Sequence, residues 1–322
     1  MNLHFCSKKI EAAHVSTPLS VILAVRNDEV GVGGTIESVL NQSFQQFEFI
    51  IVNDGSNDGT SEILKNYTKR DSRIKVLEPG KVGLTVALNI GCKNAVGCYL
   101  GRVDSGDLCH LRRFERQIQY LENRPSVTVC FSWSSIIDRE GTSLGEMVFN
   151  CKHGAIKRRL EKGRNIFFHG SCTMRKDAFI SCNGYDVAML ASQDFDLWLR
   201  MIKAGYKIGA VPEVLYYWRL DPASISINKG KRQDYFKDLA LRRYYDQGTV
   251  TRSDEGFEGE AYDQQIRLQR YYLNLFWRVR NKQEYWRAFK YLLVCKALTP
   301  RDILKGICFV CPIDHRRFLR LF

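Results

Sequence analysis

The chain has 322 residues, of which 45% are hydrophobic and 26% are charged, a composition typical of a globular protein with a full core. Its net charge of +13 favours an anionic partner, such as a nucleic acid, an anionic lipid or a nucleotide. No uncharged run approaches the ~18 residues that a membrane span needs, so no span is predicted.

The two ends of the chain differ from its middle. Residues 1–17 are polar, contain no apolar signal segment and are predicted to form a flexible leader. Together with eleven scattered cysteines, this favours reduced thiols and a cytoplasmic location. Residues 264–322 carry 13 Lys and Arg against 3 Asp and Glu, so most of the positive charge lies at the carboxyl end.

Apolar runs alternate with amphipathic segments over residues 18–110. The sequence predicts strands at Pro18–Val25, Phe47–Val52, Ile74–Leu77 and Cys98–Val103, with helices at Thr35–Gln42, Ser61–Lys69 and Gly83–Ile90 between them. Alternation of strand and helix predicts an α/β fold with a Rossmann-like, mostly parallel sheet flanked by helices.

The order of elements is less regular over residues 111–225. Helices are predicted at Leu111–Asn123, Ile156–Leu160 and Ser192–Ile202, and strands at Val127–Ile137 and Cys172–Arg175. The runs Ile208–Val211 and Val214–Trp218 are predicted to form one further strand or two. Beyond residue 225 the chain becomes rich in Arg, Tyr, Phe and Trp at helical spacing. We therefore expect a domain over 18–225, with halves 18–110 and 111–225, and a basic helical region over 226–322.

Polar side chains follow three of the predicted parallel strands. Asn27 and Glu29 follow the first strand, Asp54 ends the second, and Asp104 and Asp107 end the fourth. Because the carboxyl ends of parallel strands share one edge of a sheet, these residues are expected to lie close together, where such folds bind ligands. Carboxylates there suit a nucleobase N–H and a divalent cation bound to phosphate. Each acid taken alone is more typical of a turn.

Five motifs in the same order resemble the family 2 glycosyltransferases, whose fold is the Rossmann-like GT-A type. They are Pro18-Leu-Ser-Val-Ile-Leu-Ala-Val-Arg-Asn27, Ser38-Val-Leu-Asn-Gln-Ser-Phe44, Ile51-Val-Asn-Asp-Gly-Ser56-Asn-Asp-Gly-Thr60, Arg102-Val-Asp104 and Gln193-Asp-Phe-Asp-Leu-Trp-Leu-Arg200. The resemblance covers roughly residues 18–225.

The resemblance implies roles for particular residues. Asp54 matches the acid that binds the nucleobase, Asp104 the first acid of the metal-binding D-x-D motif, and Asp194 the general base. The remaining residues expected to bind the nucleotide sugar are Val25, Asn27, Glu29 and Arg102. The implied cofactor is Mg²⁺ or Mn²⁺.

Three positions depart from the family pattern, one of which is Leu88, where the family often has an arginine. Gly106 replaces the second acid of D-x-D, and Gln193 stands where a glutamate usually precedes the base. Asp107 is a candidate substitute as a metal ligand. His169 is a candidate for acceptor or metal binding, or is an ordinary histidine at the end of a strand.

The motifs together predict an inverting transferase. It would move a sugar from a nucleotide sugar, a UDP-sugar above all, to a hydroxyl of a glycan or lipid-linked acceptor in cell-surface polysaccharide synthesis. The alternatives are a non-catalytic protein that binds nucleotide sugars or acts as a scaffold, and an enzyme that makes sugar nucleotides. A nucleic-acid partner is not expected, because no motif that reads nucleic acid is present.

The aromatic and basic residues of 262–322 allow two interpretations. Their helical spacing suits a helix that lies on an anionic membrane, which would place the protein on the inner face of the plasma membrane. It equally suits a helical hairpin packed on the preceding domain.

Overall fold

The computed structural model describes residues 18–220 and 230–246. These fall into two compact units: one contains residues 18–136, 146–219 and 231–246, and the other contains residues 137–145, 220 and 230. The candidate site lies entirely in the first unit. The predicted leader and the aromatic, basic segment 262–322 lie outside the described residues.

The described strands and helices alternate in the first half of the chain. The strands are β1 (Leu19–Val25), β2 (Phe47–Asn53), β3 (Ile74–Leu77), β4 (Tyr99–Arg102), β5 (Leu108–Cys109), β6 (Val127–Ile137), β7 (Ser143–Met147), β8 (Thr173–Arg175) and β9 (Lys207–Arg219). The helices are α1 (Val32–Leu40), α2 (Thr60–Arg70), α3 (Leu84–Asn94), α4 (Arg113–Glu122), α5 (His153–Glu161), α6 (Lys176–Ser181), α7 (Gln193–Lys203) and α8 (Gly230–Tyr244). A short 3-10 helix spans His169–Ser171.

The first four strands pair in parallel. Within the described residues the sheet order is β3-β2-β1-β4-β8-β6-β9-β5. Along β1, Leu19 pairs with Phe47 of β2 and with Tyr99 of β4, so the three strands start level. The loops after Val25, Asn53 and Arg102 therefore lie at the same edge of the sheet, where the carboxyl ends of the three strands meet.

The remaining strands pair mostly antiparallel. β8 lies between β4 and β6, antiparallel to both, and β5 is antiparallel to β9. The β4–β8 pairing brings the 3-10 helix beside the turn after β4. The pairing of Cys109 with Tyr216 in the β5–β9 ladder brings β9 to the same turn. Thus two chain segments distant in sequence reach the edge formed by the parallel strands.

Apolar side chains of the sheet pack into two hydrophobic cores, one on each face of the sheet. Successive residues of β1 alternate between them: Ile22 belongs to the core that includes α3, α7 and α8, and Leu23 to the core that includes α1 and α4. Trp198 of α7 is fully buried in the first core. Burial of each such side chain stabilises the fold by about 1.5–3 kcal/mol, so α7 is held firmly against the sheet.

The structure confirms the predicted α/β fold class with local differences. The parallel half matches the prediction, whereas from β5 onward the described pairs that continue the sheet are antiparallel. One long strand, β9, contains both runs, 208–211 and 214–218, for which the sequence predicts one strand or two. None of the helices in the described ranges is long and apolar enough to span a bilayer.

Candidate active site

Asp54 lies at the edge of the sheet, and one of its two carboxylate oxygens accepts hydrogen bonds from the protein backbone. Its Oδ1 accepts hydrogen bonds from the amides of Val82 and Gly83, at 2.6 and 2.8 Å, at the start of α3. The positive end of the α3 dipole favours the charged carboxylate there. Oδ2 has no hydrogen-bond partner among the described residues. Asp54 can therefore offer one fixed oxygen to a ring N–H of a ligand.

Val25 and Asn27 join the first two strand-end loops. The Val25 carbonyl accepts the Asp54 amide at 2.9 Å, which continues the ladder to the end of the strand. Asn27 adopts φ = 53°, and its amide donates to Ser56 Oγ at 3.0 Å. Its Oδ1 accepts the amide of Asn57 at 2.8 Å. Asn27 thus shapes the wall of the crevice through the backbone.

Glu29 binds the start of α2. Its Oε2 accepts the amide of Gly59, the N-cap residue of α2, at 2.7 Å. Its own amide donates to Asp58 Oδ2 at 3.1 Å. The residue is exposed. Its predicted contact with the nucleotide sugar stays a prediction, and the contact that the structure gives it is with the protein.

Asp104 and Arg102 form an ion pair at the end of β4. Arg102 Nη2 lies 2.5 Å from Asp104 Oδ1, and the two side chains are 2% and 38% exposed. Burial alone would lower the pKa of the Arg102 guanidinium, but the charge of Asp104 and those of the neighbouring Tyr and Cys side chains together outweigh burial and raise the pKa. Arg102 Nε is buried without a hydrogen-bond partner in the described part of the chain. A buried guanidinium therefore holds the partly exposed carboxylate at this edge.

Asp107 points into the protein from the same turn. Its Oδ2 accepts the hydroxyl of Tyr216 at 2.6 Å and its Oδ1 accepts the amide of Arg219 at 2.8 Å. Burial, with the nearby charge of Asp104, raises the pKa of the Asp107 carboxyl well above its usual range. As a metal ligand Asp107 stays a prediction, and the residue is only 3% exposed. The geometry instead gives it the role of holding the turn.

Two further groups hold this turn, and neither was singled out from the sequence. The Tyr216 hydroxyl that binds Asp107 also accepts the amide of Asp104 at 3.2 Å. Gly170 packs against both: an ideal Cβ built on Gly170 would lie 1.8 Å from the Tyr216 hydroxyl and 2.8 Å from Asp104 Oδ2. The 3-10 helix can approach the carboxylate this closely only because position 170 has no side chain.

His169 is a neutral imidazole beside this turn. Its Nε2 lies 2.7 Å from the hydroxyl of Tyr185, and its ring meets Trp198 edge to face with centroids 6.0 Å apart. Burial, together with the charge of Arg102, lowers the pKa of His169 to about 3. His169 is therefore uncharged at neutral pH and can exchange hydrogen bonds or bind a metal without releasing a proton.

Asp194 is the second residue of α7, and its pKa is shifted toward neutrality. Burial raises the pKa of the carboxyl to about 6; the Phe195 amide opposes this rise and the charge of Asp104 adds to it. Asn165 Nδ2 lies 3.5 Å from Asp194 Oδ2. A carboxylate with a pKa near the working pH is suited to accept a proton from a hydroxyl.

The structure thus brings four predicted residues into electrostatic reach of one another. Asp104 acts on the pKa of Asp194, and Arg102 acts on the pKa of both His169 and Asp194. Asp54 lies on the neighbouring part of the same edge, after β2. A ligand that lies along this edge would contact Asp54 at one end and Asp194 at the other.

A metal site built by the protein alone is not found in the described residues: they contain no group of three or more His, Cys, Asp and Glu side chains that could hold an ion. Asp104 offers one carboxylate, partly exposed and facing the edge of the sheet. Hard divalent cations accept carboxylate and phosphate oxygens together. The residues present therefore fit a cation shared with a bound diphosphate.

Sequence comparisons identify the family. Residues 20–182 match the glycosyl transferase family 2, which is half of the chain. The chain is 30% identical over 231 residues to an uncharacterized glycosyltransferase of Methanocaldococcus jannaschii, covering 70% of this chain and 79% of that protein. It is 29% identical over 229 residues to AmsE, an amylovoran biosynthesis glycosyltransferase of Erwinia amylovora, covering 68% and 81%. The chain belongs to the family 2 glycosyltransferases, as its motifs predicted, and it has relatives in polysaccharide biosynthesis.

Solved structures show the same fold. TarS 1-349 of S. aureus in complex with UDP-GlcNAc superposes with a TM-score of 0.56 at 16% identity, covering 80% of this chain and 82% of TarS 1-349. The mannosyltransferase PcManGT of Pyrobaculum calidifontis in complex with GDP-Man and Mn²⁺ gives 0.53 at 13% identity, covering 94% and 82%. The GT-A fold expected from the motifs is therefore confirmed.

Proposed function

We propose that this glycosyltransferase moves a sugar from a nucleoside-diphosphate sugar to a hydroxyl of a glycan or lipid-linked acceptor, with inversion at the anomeric carbon. The observation that carries the proposal is the pair formed by Asp104 and Asp194. One carboxylate faces the edge beside a buried arginine, and the other has its pKa raised to about 6 by burial. A donor-binding acid and a proton-accepting acid are the two groups that single displacement needs.

The donor would lie along the edge of the sheet. Asp54 Oδ2 would accept a ring N–H of the base, and the diphosphate would lie beside Arg102 and Asp104. TarS has been solved with UDP-GlcNAc and PcManGT with GDP-Man, which supports a nucleotide sugar as ligand. A UDP-sugar is the donor we favour, since Asp54 presents a single acceptor oxygen.

A divalent cation, Mg²⁺ or Mn²⁺, would be held by Asp104 together with the donor. When bound, such an ion neutralises charge on a leaving diphosphate. PcManGT has been solved with Mn²⁺. The buried guanidinium of Arg102 would supply further fixed positive charge on the same side, because a preorganised cation stabilises developing negative charge.

The acceptor would enter beside Asp194. The carboxylate would take the proton from the attacking hydroxyl, which then approaches the sugar from the face opposite the diphosphate. Attack from that face inverts the anomeric configuration. The neutral ring of His169 would orient the acceptor or the donor sugar by a hydrogen bond.

Donor binding and turnover test this proposal together. A panel of UDP-, GDP- and dTDP-sugars with Mn²⁺ is scored by thermal shift, because a bound ligand raises the melting temperature by mass action. One donor should stabilise the protein, and Asp54→Ala should abolish that shift. Glu62→Ala, which removes an exposed acid of α2, is the matched control and should keep it. A panel without any shift would contradict the donor assignment.

A non-catalytic nucleotide-sugar-binding protein is the second candidate. It is favoured by one observation: Gly106 replaces an acid and both oxygens of Asp107 are used within the protein. Such a protein would give the thermal shift but no release of nucleoside diphosphate with Mn²⁺. The proposed enzyme gives both.

The domain limits and location also stay proposals. We place the catalytic domain at 18–225 and the basic region at 226–322. We propose that the protein works in the cytoplasm at the inner face of the plasma membrane, where a lipid-linked acceptor would be available. The charge of residues 264–322 supports this location.

A further inference from the structure

The positive charge of the described residues is concentrated in one short segment. Residues 18–135 carry 13 Lys and Arg against 13 Asp and Glu, and so have no net charge. Residues 152–164, which form α5 and the turn after it, carry six Lys and Arg against one acid. The excess is therefore a local feature of this segment.

Five cations of this segment are exposed and without an acidic partner among the described residues. They are Lys152, Arg158, Arg159, Lys162 and Arg164. Lys157 pairs with Glu161 at 3.7 Å. Ile156 and Leu160 are fully buried and fix the inner face of α5, so the opposite face presents its charges to the solvent.

This segment lies beside the candidate general base. Asn165 follows it directly and places Nδ2 3.5 Å from Asp194 Oδ2. In the proposed function the acceptor would enter beside Asp194, so the basic segment would border the route of the acceptor and not the donor end at Asp54.

One exposed aromatic side chain contacts the same segment, and two exposed apolar side chains lie on the loop before α7. The Tyr245 hydroxyl donates to the carbonyl of Glu161 at 3.1 Å, and Tyr245 is 49% exposed. Arg243 of α8 binds Asp186 at 2.8 Å, which ties the loop before α7 to the same helix end. That loop exposes Val187 and Leu190 by 57% and 54%.

We propose that this basic surface, defined as residues 152–164 with Tyr245, Val187 and Leu190, binds the phosphate headgroups of an anionic membrane leaflet. Clusters of four to eight Lys and Arg bind such leaflets, and neighbouring apolar side chains enter the interface. A soluble polyanionic glycan would use the cations but gain little from the exposed apolar groups, which favours the leaflet. The docked domain presents Asp194 to an acceptor held in that membrane. This last point rests on the proposed function, whereas binding to the leaflet does not.

Vesicle flotation of the full chain tests the proposal. The vesicles contain 30% phosphatidylglycerol in phosphatidylcholine, with pure phosphatidylcholine as the uncharged reference. The triple variant Arg158→Gln/Arg159→Gln/Lys162→Gln should bind the anionic vesicles about 100-fold more weakly, since each cation at an anionic leaflet contributes roughly fivefold. The matched variant Lys65→Gln/Lys69→Gln/Lys93→Gln removes three exposed cations from the other half of the domain. It should weaken binding by less than about threefold.

Equal weakening by both triple variants, or none by the first, would overturn the proposal. So would a first variant that still floats with vesicles but no longer binds dextran sulfate, because that result assigns the surface to a soluble polyanion. Thermal shift by UDP with Mn²⁺ tests nucleotide binding separately, so a failure of the membrane proposal can be distinguished from a failure of the proposed function. The shift should be the same in wild type and both variants; its absence from all three would contradict the nucleotide assignment and leave the vesicle result standing.

Discussion

Asp194 determines how activity depends on pH at the scale of a single residue. The general base must be ionised, and burial raises the pKa of Asp194 to about 6. We predict that the turnover rate at saturating donor falls as pH drops through about 6, and that it is level above it. Asp194→Asn should lower the turnover rate by about 10²–10⁴-fold, and the remaining rate should no longer fall as pH drops through about 6. Initial rates from pH 5 to 8 check both statements.

The same raised pKa has the opposite effect on stability. The folded state binds this proton more tightly than the unfolded chain, so ionising Asp194 destabilises the fold. The effect is absent below the usual aspartate pKa near 3.8, grows as pH rises, and is complete above about 6. At pH 8 the free energy of unfolding of Asp194→Asn, measured by urea titration, should therefore be at least as large as that of the wild type. A large loss of stability at pH 8 would show that Asp194 is mainly a structural residue.

Tyr216 positions Asp104 without touching the proposed ligand. Removing its hydroxyl leaves the amide of Asp104 and the buried carboxyl of Asp107 short of a partner. We predict that Tyr216→Phe costs about 1–3 kcal/mol of unfolding free energy and weakens UDP binding about fivefold or more. Binding of uridine, which lacks the diphosphate, should not change. Tyr217→Phe is the matched control at the neighbouring position of β9. Equal weakening of uridine and UDP would contradict the positioning role.

Gly170 is where packing leaves no room for a side chain. The Cβ of an alanine would overlap the Tyr216 hydroxyl, so the 3-10 helix or the turn of Asp104 must move. We predict that Gly170→Ala lowers the unfolding free energy by about 1–3 kcal/mol. Gly154→Ala serves as the control, because position 154 lies within α5 with only a distant arginine atom near it. It should stabilise by up to about 1 kcal/mol. Chemical denaturation of both variants gives the comparison.

At the scale of the element, α8 supports the helix that carries the base. Its Phe236, Leu239 and Ala240 are buried in the core that holds α7. The carbonyl of Gln233 accepts the hydroxyl of Ser192, the N-cap residue of α7, at 2.9 Å. We predict that Phe236→Ala costs about 3–5 kcal/mol. It should also lower the turnover rate more than the affinity for UDP. Asp238→Ala, at an exposed neighbouring position, should change neither.

How much the sequence predicts depends on the range of the interactions. β1, β2 and β4 are short apolar runs, and the acids that follow them are adjacent in the chain, so the edge containing Asp54 and Asp104 could be predicted. The bond between Tyr216 and Asp107 joins residues 109 positions apart through an antiparallel pairing. No local pattern marks that pairing. The orientation of Asp107 therefore could not be predicted, and neither could the need for glycine at position 170.

At the scale of the whole molecule, the excess positive charge lies away from the part of the chain that contains Asp54. Residues 18–135, which include Asp54, have as many acids as cations, whereas cations accumulate beside Asp194 and again in residues 264–322. This asymmetry suits an enzyme that takes a soluble donor on one side and a membrane-held acceptor on the other. It also explains why net charge alone indicates an anionic partner but does not distinguish a nucleotide from a lipid.

The anomeric configuration of the first product tests the central claim most directly. The donor selected by thermal shift is incubated with the enzyme and Mn²⁺, and proton NMR follows the sugar released to water or to acceptor. An α-linked donor should give the β-anomer first with wild type, and no release above background with Asp194→Asn, although that variant still binds UDP. Retention of the α-anomer, or full turnover by Asp194→Asn, would contradict the account.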